Sequence, residues 1–328
     1  MRIVEITRPG GPEVLAVRQA PVPVCGAGEV LIDVVAAGVN RPDIAQRMGR
    51  YPVPADASPI PGLEVAGTVR ETGPDVQGLQ PGAPVMALVH GGGYAEVCKA
   101  DARHLLPVPH GLSFEQAACL PEAALTVEFN MVMRARLQAG ETVLIHGGSS
   151  GIGSHAAARA KAMGAMVITT SRGAVKRDFC AGAGADIAID SSQEDWQAAV
   201  REATGGRGAD VVLDMVGGGH FDKNLASLAE DGRYALISLQ AGRIVTADLE
   251  PLLRRRLTVT GSTLRPLSGE RKAEIVTHVR QAVLPLVVSG AIRPHIHRRF
   301  DLEDAASAHR LLESGDVLGK VVLTVRQS

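Results

Sequence analysis

The pattern of hydrophobic positions changes near residue 112 and predicts two kinds of architecture along the chain. Before that point, short apolar runs alternate with turns rich in Gly and Pro, and the predicted strands are Val30–Ala36, Val65–Val69, Val85–Val89 and Tyr94–Val97. Short strands at this spacing favour a small β-barrel or sandwich. Ser113 and Gln116 then have the spacing of a capping box, which predicts the start of a helix.

From Glu141 onward, apolar strands alternate with helical segments. The predicted strands are Thr142–His146, Met166–Thr170, Ile187–Ile189, Val211–Asp214, Arg233–Leu239 and Leu257–Gly261. The predicted helices between them include Ser154–Met163, Ala174–Cys180, Glu194–Ala203 and Phe221–Ala229. This alternation favours a doubly wound parallel sheet, the Rossmann arrangement, so the predicted fold class is α/β with a β-rich domain before the sheet.

The last part of the chain returns to mixed structure. A helical segment after Gly269 is interrupted at Pro285, and predicted strands at Arg293–Phe300 and Val321–Val325 flank a helix at Leu302–Ser314. We expect this tail to rejoin the N-terminal domain. The predicted domains are therefore residues 1–122, 123–268 and 269–328.

Composition and charge exclude several classes of function. The 328 residues include 34 Lys and Arg against 35 Asp and Glu, so the net charge is −1. This balance argues against a nucleic-acid-binding surface and against electrostatic attachment to a membrane. Aromatic residues make up 3% of the chain, so the core is expected to be mainly aliphatic.

The cysteines and the first residues bear on the expected compartment. Cys25, Cys98, Cys119 and Cys180 have no CxxC spacing, which argues against a four-cysteine zinc site and a disulfide scaffold. The first residues place Glu5 where a signal peptide would be apolar, and no apolar segment has the length of a membrane span. We therefore expect a cytoplasmic protein.

A glycine-rich loop is the strongest chemical signal in the sequence. Gly148, Gly151 and Gly153, with Ser150 and Ile152 between them, follow a predicted strand and precede a predicted helix. Glycines there allow a sharp turn and the close approach of a pyrophosphate to the helix N-terminus. The alternative is a plain strand-to-helix turn. His146 precedes this loop, and the sequence supplies no partner for a catalytic role.

The end of the second Rossmann strand predicts which dinucleotide binds. Ser171, Arg172 and Lys176 lie where an NAD-binding chain usually has a carboxylate, and hydroxyl and cationic groups suit a 2′-phosphate. We therefore predict NADP(H) rather than NAD(H). Asp178 and Asp190 oppose this prediction, and the alternative is that the two cations belong to a solvated helix start.

Four N-terminal segments carry a family resemblance. They are Pro9–Glu13, Gly38–Asp43, Gln46–Tyr51 and Pro61–Gly67. With the central sheet and the returning tail, they resemble the medium-chain dehydrogenase/reductase superfamily over essentially the whole chain. Within it, the sequence is similar to the zinc-free, zeta-crystallin-like quinone oxidoreductases, particularly the tumour-suppressor-inducible type. The resemblance implies a GroES-like catalytic domain over residues 1–122, an NADP-binding Rossmann domain over 123–268 and a C-terminal return over 269–328.

The resemblance also implies roles for individual residues. Asn40 and Tyr51 are expected beside the nicotinamide in an interdomain cleft, where they would polarise the acceptor. The implied cofactor-binding residues outside the glycine loop and the second strand are Asp43, Gln46, Thr126, Gly217, Leu239, Gln240, Leu264, Arg265 and Lys320. Many relatives have a tyrosine on the 2′-phosphate after the third Rossmann strand, where this chain reads Asp190-Ser191-Ser192.

The zinc ligands of the superfamily's alcohol dehydrogenases are not matched. Val39 and Leu63 lie at ligand positions of those enzymes, and neither side chain can bind zinc. The resemblance therefore implies transfer of a hydride, or of single electrons, from NADPH to a quinone or an activated enone without a metal. No strong general acid is evident, so solvent is expected to supply the proton.

Two other functions stay open at the level of the sequence. One is an enoyl-thioester reductase, and the other is an NADPH-binding protein with little turnover. Relatives usually dimerise by joining their central sheets, and Leu257–Gly261 is the predicted edge strand for such a homodimer.

Overall fold

The strands of the protein follow its apolar segments. In the computed structural model, which describes residues 1–326, they are β1 (Arg2–Ile6), β2 (Leu15–Gln19), β3 (Glu29–Val39), β4 (Glu64–Thr72), β5 (Pro84–Leu88), β6 (Val97–Asp101), β7 (Leu105–Pro107), β8 (Thr142–His146), β9 (Met166–Ser171), β10 (Ile187–Asp190), β11 (Ala209–Asp214), β12 (Leu228–Leu236), β13 (Thr258–Gly261), β14 (Ile296–Asp301) and β15 (Lys320–Thr324).

The helices connect these strands. They are α1 (Arg41–Arg47), α2 (Phe114–Ala117), α3 (Pro121–Val127), α4 (Gly151–Ala162), α5 (Ala174–Gly182), α6 (Trp196–Ala203), α7 (Phe221–Ser227), α8 (Glu250–Arg254), α9 (Gly269–Ala282), α10 (Leu284–Val288) and α11 (Ala305–Ser314). A π-helix at Glu128–Arg134 follows α3, and short 3₁₀ turns lie at Pro12–Val14, Ala102–His104, Gly218–His220 and Leu302–Asp304.

The first of two structural units contains both ends of the described chain. It comprises Met1–Glu122, Arg265–Val288 and the residues from Pro294 onward. Its main sheet has the order β14-β15-β3-β4-β5-β7, with β6 also paired to β3. The strand β15 runs antiparallel to β3, as the predicted return of the tail requires. Ile32, Val65 and Val321 are buried between its layers.

The second unit comprises Ala123–Leu264 and Ser289–Arg293 and contains the parallel sheet. Its strand order is β10-β9-β8-β11-β12-β13, and every pairing is parallel. This is the doubly wound order: successive strands are added on one side of β8 as far as β10, and from β11 onward on the other side. The predicted Rossmann sheet is confirmed. The strand β13 is an edge strand of this sheet, and the predicted homodimer through it stays a prediction.

Several element boundaries differ from the predicted ones. The predicted strand Tyr94–Val97 is shifted, because pairing with β3 begins only at Val97, where β6 starts. Tyr94 lies before this strand and is fully buried. The predicted helix Phe221–Ala229 ends at Ser227, since the next two residues already belong to β12. The strands β1 and β2 were not predicted. Among the described residues, none of the helices combines the length and apolar composition needed to cross a membrane.

Candidate functional site

The glycine loop after β8 depends on close backbone packing. A Cβ at Gly148 would lie 2.7 Å from the Cβ of Thr169, and a Cβ at Gly153 would lie 2.2 Å from the carbonyl oxygen of Gly147. Any side chain at either position would therefore push the loop away from the strand or the helix. Glycine lets the three elements meet, as a phosphate-binding turn requires.

Ser150 sets the first turn of α4. Its Oγ accepts a hydrogen bond from the backbone N–H of Gly153 at 3.0 Å, which makes Ser150 the N-cap. The helix therefore begins at Gly151, three residues before the predicted start at Ser154. The first amides of a helix, here those of Gly151 and Ile152, have no acceptor within the helix and lie at its positive end. This turn fits the pyrophosphate of a dinucleotide.

The strand end predicted to select the dinucleotide lies in the same unit. Ser171 is buried at the end of β9, Arg172 is exposed, and Lys176 is partly exposed in α5. The strand β9 is parallel to β8 and next to it. Its carboxyl end, which carries these three residues, therefore lies at the same edge of the sheet as the glycine loop that follows β8. Their contact with a 2′-phosphate stays a prediction.

The two carboxylates that oppose that prediction have partners of their own. Asp190 accepts hydrogen bonds from Gly173 N at 2.8 Å and from Ser192 Oγ at 2.6 Å. The Ser192 and Gly173 hydrogen bonds hold the pKa of Asp190 below its ordinary value. Asp178 pairs with Arg177 at 2.8 Å. Neither carboxylate therefore depends on Arg172 for a hydrogen bond or an ion pair.

A buried polar network, which the sequence did not reveal, holds the loop after β11. Asp214 is fully buried and accepts hydrogen bonds from Gly217 N at 3.1 Å, Asn224 Nδ2 at 3.1 Å and Tyr234 Oη at 2.6 Å. Asn224 Oδ1 lies 2.7 Å from Nε2 of His146. Burial lowers the pKa of His146 to about 4, so the ring is neutral. His146 and Asn224 therefore position the loop that carries Gly217.

The remaining predicted cofactor residues of this unit differ in exposure. A Cβ at Gly217 would lie 2.8 Å from the Leu239 side chain, so these two loops pack closely. Leu239 and Gln240 are exposed after β12, whereas Thr126 and Leu264 are buried. The cofactor contacts of all five stay predictions.

A buried charge cluster forms between β3, β4 and β15 of the other unit. Lys320 Nζ donates to Glu64 Oε1, to Asn40 Oδ1 at 2.6 Å and to Val39 O at 3.4 Å. Asn40 Nδ2 donates to the same Glu64 oxygen at 2.9 Å. Gly38 makes room for this arrangement, because a Cβ there would lie 2.1 Å from Glu64 Oε1. Burial lowers the pKa of Lys320, but the Glu64 carboxylate more than offsets this, and the pKa is raised overall.

This geometry bears on two predicted roles. All three ammonium N–H groups of Lys320 have protein acceptors, and both polar ends of the Asn40 amide have protein partners. Each residue is therefore a positioning residue in the cluster. The predicted contacts of Lys320 with the cofactor and of Asn40 with an acceptor stay predictions.

Asp43 ties the start of α1 to the same cluster. Its carboxylate accepts hydrogen bonds from Asn40 N at 2.8 Å, Gly62 N at 3.1 Å and Tyr94 Oη at 3.3 Å. Burial raises the pKa of Asp43 to about 6, although the two backbone hydrogen bonds oppose the rise. The predicted cofactor residue is thus held from three sides by its own chain.

Behind Asp43, a chain of polar groups leads to the last helix. Tyr94 Oη lies 3.1 Å from His309 Nε2, and His309 Nδ1 lies 3.2 Å from Arg47 Nη1. Arg47 can only donate, so Nδ1 accepts and the ring proton is on Nε2. Burial lowers the pKa of His309 to about 3, so the ring is neutral. Arg47 is fully buried and pairs with Glu313 at 2.6 Å.

Tyr51 and Arg265 form a pair beside this cluster. The Arg265 guanidinium lies 5.4 Å from the centroid of the Tyr51 ring, and its Nη1 donates to Gln46 Oε1 at 2.7 Å. Its Nε and Nη2 are buried, and they have no hydrogen-bond acceptor in the part of the chain that the structure describes. Burial, followed by the charge of Glu122, raises the pKa of Tyr51 to about 12, so the phenol keeps its proton.

Glu122 is a candidate functional residue that the sequence analysis did not identify. It lies at the start of α3 and is 8% exposed, and its backbone N–H donates to Glu64 Oε2 at 2.9 Å. Burial raises the pKa of its carboxyl to about 8, and the neighbouring charge of Glu64 adds to the rise. The one available signal was a carboxyl side chain inside the apolar segment from Ala117 to Val127.

The cluster does not fit a zinc ion of the alcohol dehydrogenase type. Leu63 is buried and apolar, Val39 offers no donor side chain, and the Asn40 amide is engaged by Glu64 and Lys320. Within residues 1–326, no group of three or more His, Cys, Asp or Glu side chains has an arrangement that could hold a metal ion. These side chains therefore do not form a zinc site of the alcohol dehydrogenase type.

Two family models match the chain. Residues 26–110 match the model described as "Alcohol dehydrogenase GroES-like domain", and residues 183–323 match the one described as "Zinc-binding dehydrogenase". The predicted GroES-like fold of the β-rich unit is confirmed by the first match.

Two solved structures and one large synthase illustrate what the chain is similar to. A mycobacterial protein complexed with NADPH is 34% identical, with a TM-score of 0.90 over 99% of this chain and 100% of that one. Escherichia coli quinone oxidoreductase complexed with NADPH is 30% identical, with a TM-score of 0.88 over 99% and 100%. A phenolphthiocerol synthesis polyketide synthase type I of Mycobacterium marinum is 34% identical over 94% of this chain, which spans 14% of that protein.

Proposed function

Because the chain belongs to the medium-chain dehydrogenase/reductase superfamily, we propose that it is an NADPH-dependent reductase of quinones or related activated enones. The reaction proceeds without zinc in this proposal, since the side chains at the zinc positions do not suit a metal. The zeta-crystallin-like branch and its tumour-suppressor-inducible type are the parts of the family in which we place it.

The Tyr51–Arg265 pair is the observation that carries this proposal. A protonated phenol and two unpartnered guanidinium nitrogens, Nε and Nη2 of Arg265, are donors, and buried donors require an acceptor. The oxygen of a quinone, of an enone or of the cofactor's carboxamide would supply one. Donors placed near a developing oxyanion stabilise it more in a buried site than they would in water.

The cofactor assignment rests on the other unit. The glycine loop and the start of α4 fit a pyrophosphate, and Ser171, Arg172 and Lys176 carry groups suited to a 2′-phosphate. Two solved relatives that match nearly the whole chain are complexes with NADPH, which supports NADP(H) here. When bound, NADPH supplies the hydride, and Tyr51 and Arg265 hold the acceptor by donating hydrogen bonds to its oxygen.

Reduction of an enoyl thioester is the second candidate function. The 34% identity to a polyketide synthase over 94% of this chain favours it. An NADPH-binding role with little turnover is the third, and it differs from both in predicting binding without oxidation.

The test is the loss of NADPH absorbance with purified protein treated with a chelator. An ortho-quinone and a crotonyl thioester serve as acceptors, and NADH replaces NADPH in a parallel series. We expect oxidation that prefers NADPH and survives chelation, and Tyr51→Phe should lower the turnover number by about tenfold or more through loss of one donor.

Three results would contradict the proposal, each in a different way. Tight NADPH binding with no oxidation of either acceptor would favour the low-turnover role. Activity lost on chelation would refute the metal-free reaction. Full activity of Tyr51→Phe would remove Tyr51 from the site.

A further inference from the structure

The charge cluster of the first unit holds more carboxyl groups than cations to pair with them. Asp43, Glu64 and Glu122 are all buried, and the ammonium of Lys320 is bound to Glu64. Buried carboxylates are costly unless a cation or several donors hold the negative charge. The three groups therefore cannot all be ionised equally well.

The hydrogen bonds show which of the three lacks support. Glu64 accepts from Lys320, from Asn40 and from the backbone N–H of Glu122, while Asp43 accepts from three donors. In contrast, the carboxyl oxygens of Glu122 accept no hydrogen bond from any residue that the structure describes. Protonation is the arrangement that lets such a carboxyl stay buried.

Glu122 is also the carboxyl of the three that other molecules can reach. It is 8% exposed, whereas Asp43 and Glu64 are 0% exposed. Its charge raises the pKa of Tyr51 and opposes the lowered pKa of Arg265, so it lies within electrostatic reach of the donor pair. The charged and titratable groups that interact with it from the neighbouring elements are Glu64 on β4, Lys320 on β15, Asp43 on α1, Arg265 before α9, Lys272 on α9, and Tyr51 after α1.

We propose that Glu122 is the acid that protonates the reduced acceptor, and that its preferred acceptor is an enoyl carbonyl compound. The inference rests on the proposed reductase function of the same site. Addition of the hydride from NADPH to the β-carbon forms a C–H bond and leaves an enolate with its charge on oxygen. The Glu122 O–H bond then breaks, its proton forms the α-C–H bond, and a proton from water restores the acid. The double bond gains two electrons and two hydrogens, and NADP⁺ is the oxidised product.

The acceptor class follows from how readily each product takes a proton. A hydroquinone anion carries its charge on oxygen and takes a proton from water quickly. An enolate must be protonated on carbon, which is slower, and there a positioned acid contributes about 100-fold or more. Glu122 therefore matters more for an enoyl acceptor than for a quinone.

Glu122→Gln tests the proposal, with the exposed Glu13→Gln of the same unit as the matched control. We expect Glu122→Gln to lower kcat for the crotonyl thioester about 100-fold. Its kcat for the ortho-quinone should fall less than about tenfold, and its Kd for NADPH should change less than about twofold. Glu122→Asp, which keeps an acid on a shorter arm, should restore part of the thioester activity. Glu13→Gln should match the wild type.

Infrared spectroscopy supplies a readout that does not depend on turnover. The protonated carboxyl of Glu122 should give a carbonyl-stretch band that disappears as the pH rises through about 8 and is missing in Glu122→Gln. The kcat/KM of the wild type for the thioester should fall over the same pH range, and that fall should be lost in the variant.

The failures of the two proposals are distinguishable. A wild type that reduces neither acceptor refutes the reductase function. A wild type that reduces the thioester, beside a Glu122→Gln variant that keeps more than about a third of its kcat, refutes the role of Glu122 alone. The same holds if the infrared band is absent from the wild type, or if the wild type reduces the quinone and leaves the thioester unreduced.

Discussion

Replacing Glu122 with glutamine should stabilise the protein at alkaline pH. Burial, with the charge of Glu64 as the second cause, raises the pKa of the Glu122 carboxyl from its ordinary 4.5 to about 8. Each pKa unit corresponds to about 1.4 kcal/mol, so above pH 8 this carboxyl opposes folding by up to about 5 kcal/mol. Below the pKa of the unfolded chain, both states carry the proton, and the effect vanishes.

The sign of the pH dependence follows from where the proton is bound. Between pH 4.5 and about 8, the folded protein keeps the Glu122 proton while the unfolded chain loses it. The wild type therefore loses stability relative to Glu122→Gln as the pH rises through this window, and the difference is constant above it. Glutamine has nearly the same shape and neither side chain is charged at low pH, so the difference measured there is the effect of the amide alone. The growth of that difference with pH is the contribution of the charge.

Urea unfolding at pH 5, 7 and 9, followed by far-UV circular dichroism, measures the difference. Fluorescence of Trp196, the one tryptophan of the chain, follows the second unit separately and shows whether the two units unfold together. Glu13→Gln serves as the control for removing an exposed carboxylate. If the difference in unfolding free energy between wild type and Glu122→Gln is the same at pH 5 and pH 9, the carboxyl is not protonated in the folded protein at neutral pH.

Three further predictions address the other parts of the site. Lys320→Met leaves Glu64 buried without its cation, so the free energy of unfolding should fall by about 3–5 kcal/mol. A urea titration measures this, and a loss below about 1 kcal/mol would contradict the role of the ion pair. Gly148→Ala would bring a Cβ to 2.7 Å from the Cβ of Thr169 and displace the glycine loop, so the Kd for NADPH should rise at least about tenfold. A fluorescence titration measures this Kd, and an unchanged value would exclude the loop from binding. Arg172→Ala should lower kcat/KM for NADPH about tenfold and leave that for NADH unchanged, whereas equal losses for both would refute a contact with the 2′-phosphate.

The Rossmann sheet could be predicted from the sequence because its strands are buried on both faces. Thr142–His146 is an apolar run between polar segments, and β8 has the predicted bounds. The approach to β12 could not be predicted, because Leu228 and Ala229 are apolar whether they end a helix or begin a strand. The strands β1 and β2 were missed although Pro9–Pro12 marks a turn between them, because β2 is five residues long and none of its residues is buried.

The site could be predicted in its motifs and not in its electrostatics. The glycine loop has a local pattern, although the cap supplied by Ser150 moved the start of α4. The ion pair between Glu64 and Lys320 joins residues 256 positions apart, and no local pattern encodes such a contact. Glu122 owes its raised pKa first to burial and then to the charge of Glu64, a residue 58 positions away. Neither cause is visible in a local pattern, which is why no general acid was evident from the sequence.

The placement of β15 beside β3 has a consequence for synthesis on the ribosome. The central strand of the first unit's sheet gains this neighbour only after residue 320 has been made, whereas nearly all of the second unit ends at Leu264. During translation, the second unit can complete its sheet before β15 exists. At that stage part of the β3 edge has no partner strand, and Glu64 lacks the ammonium of Lys320. The β-rich segment that precedes the second unit is therefore the part of the nascent chain most open to aggregation, and the charge cluster around Glu64 is completed only when Lys320 has been made.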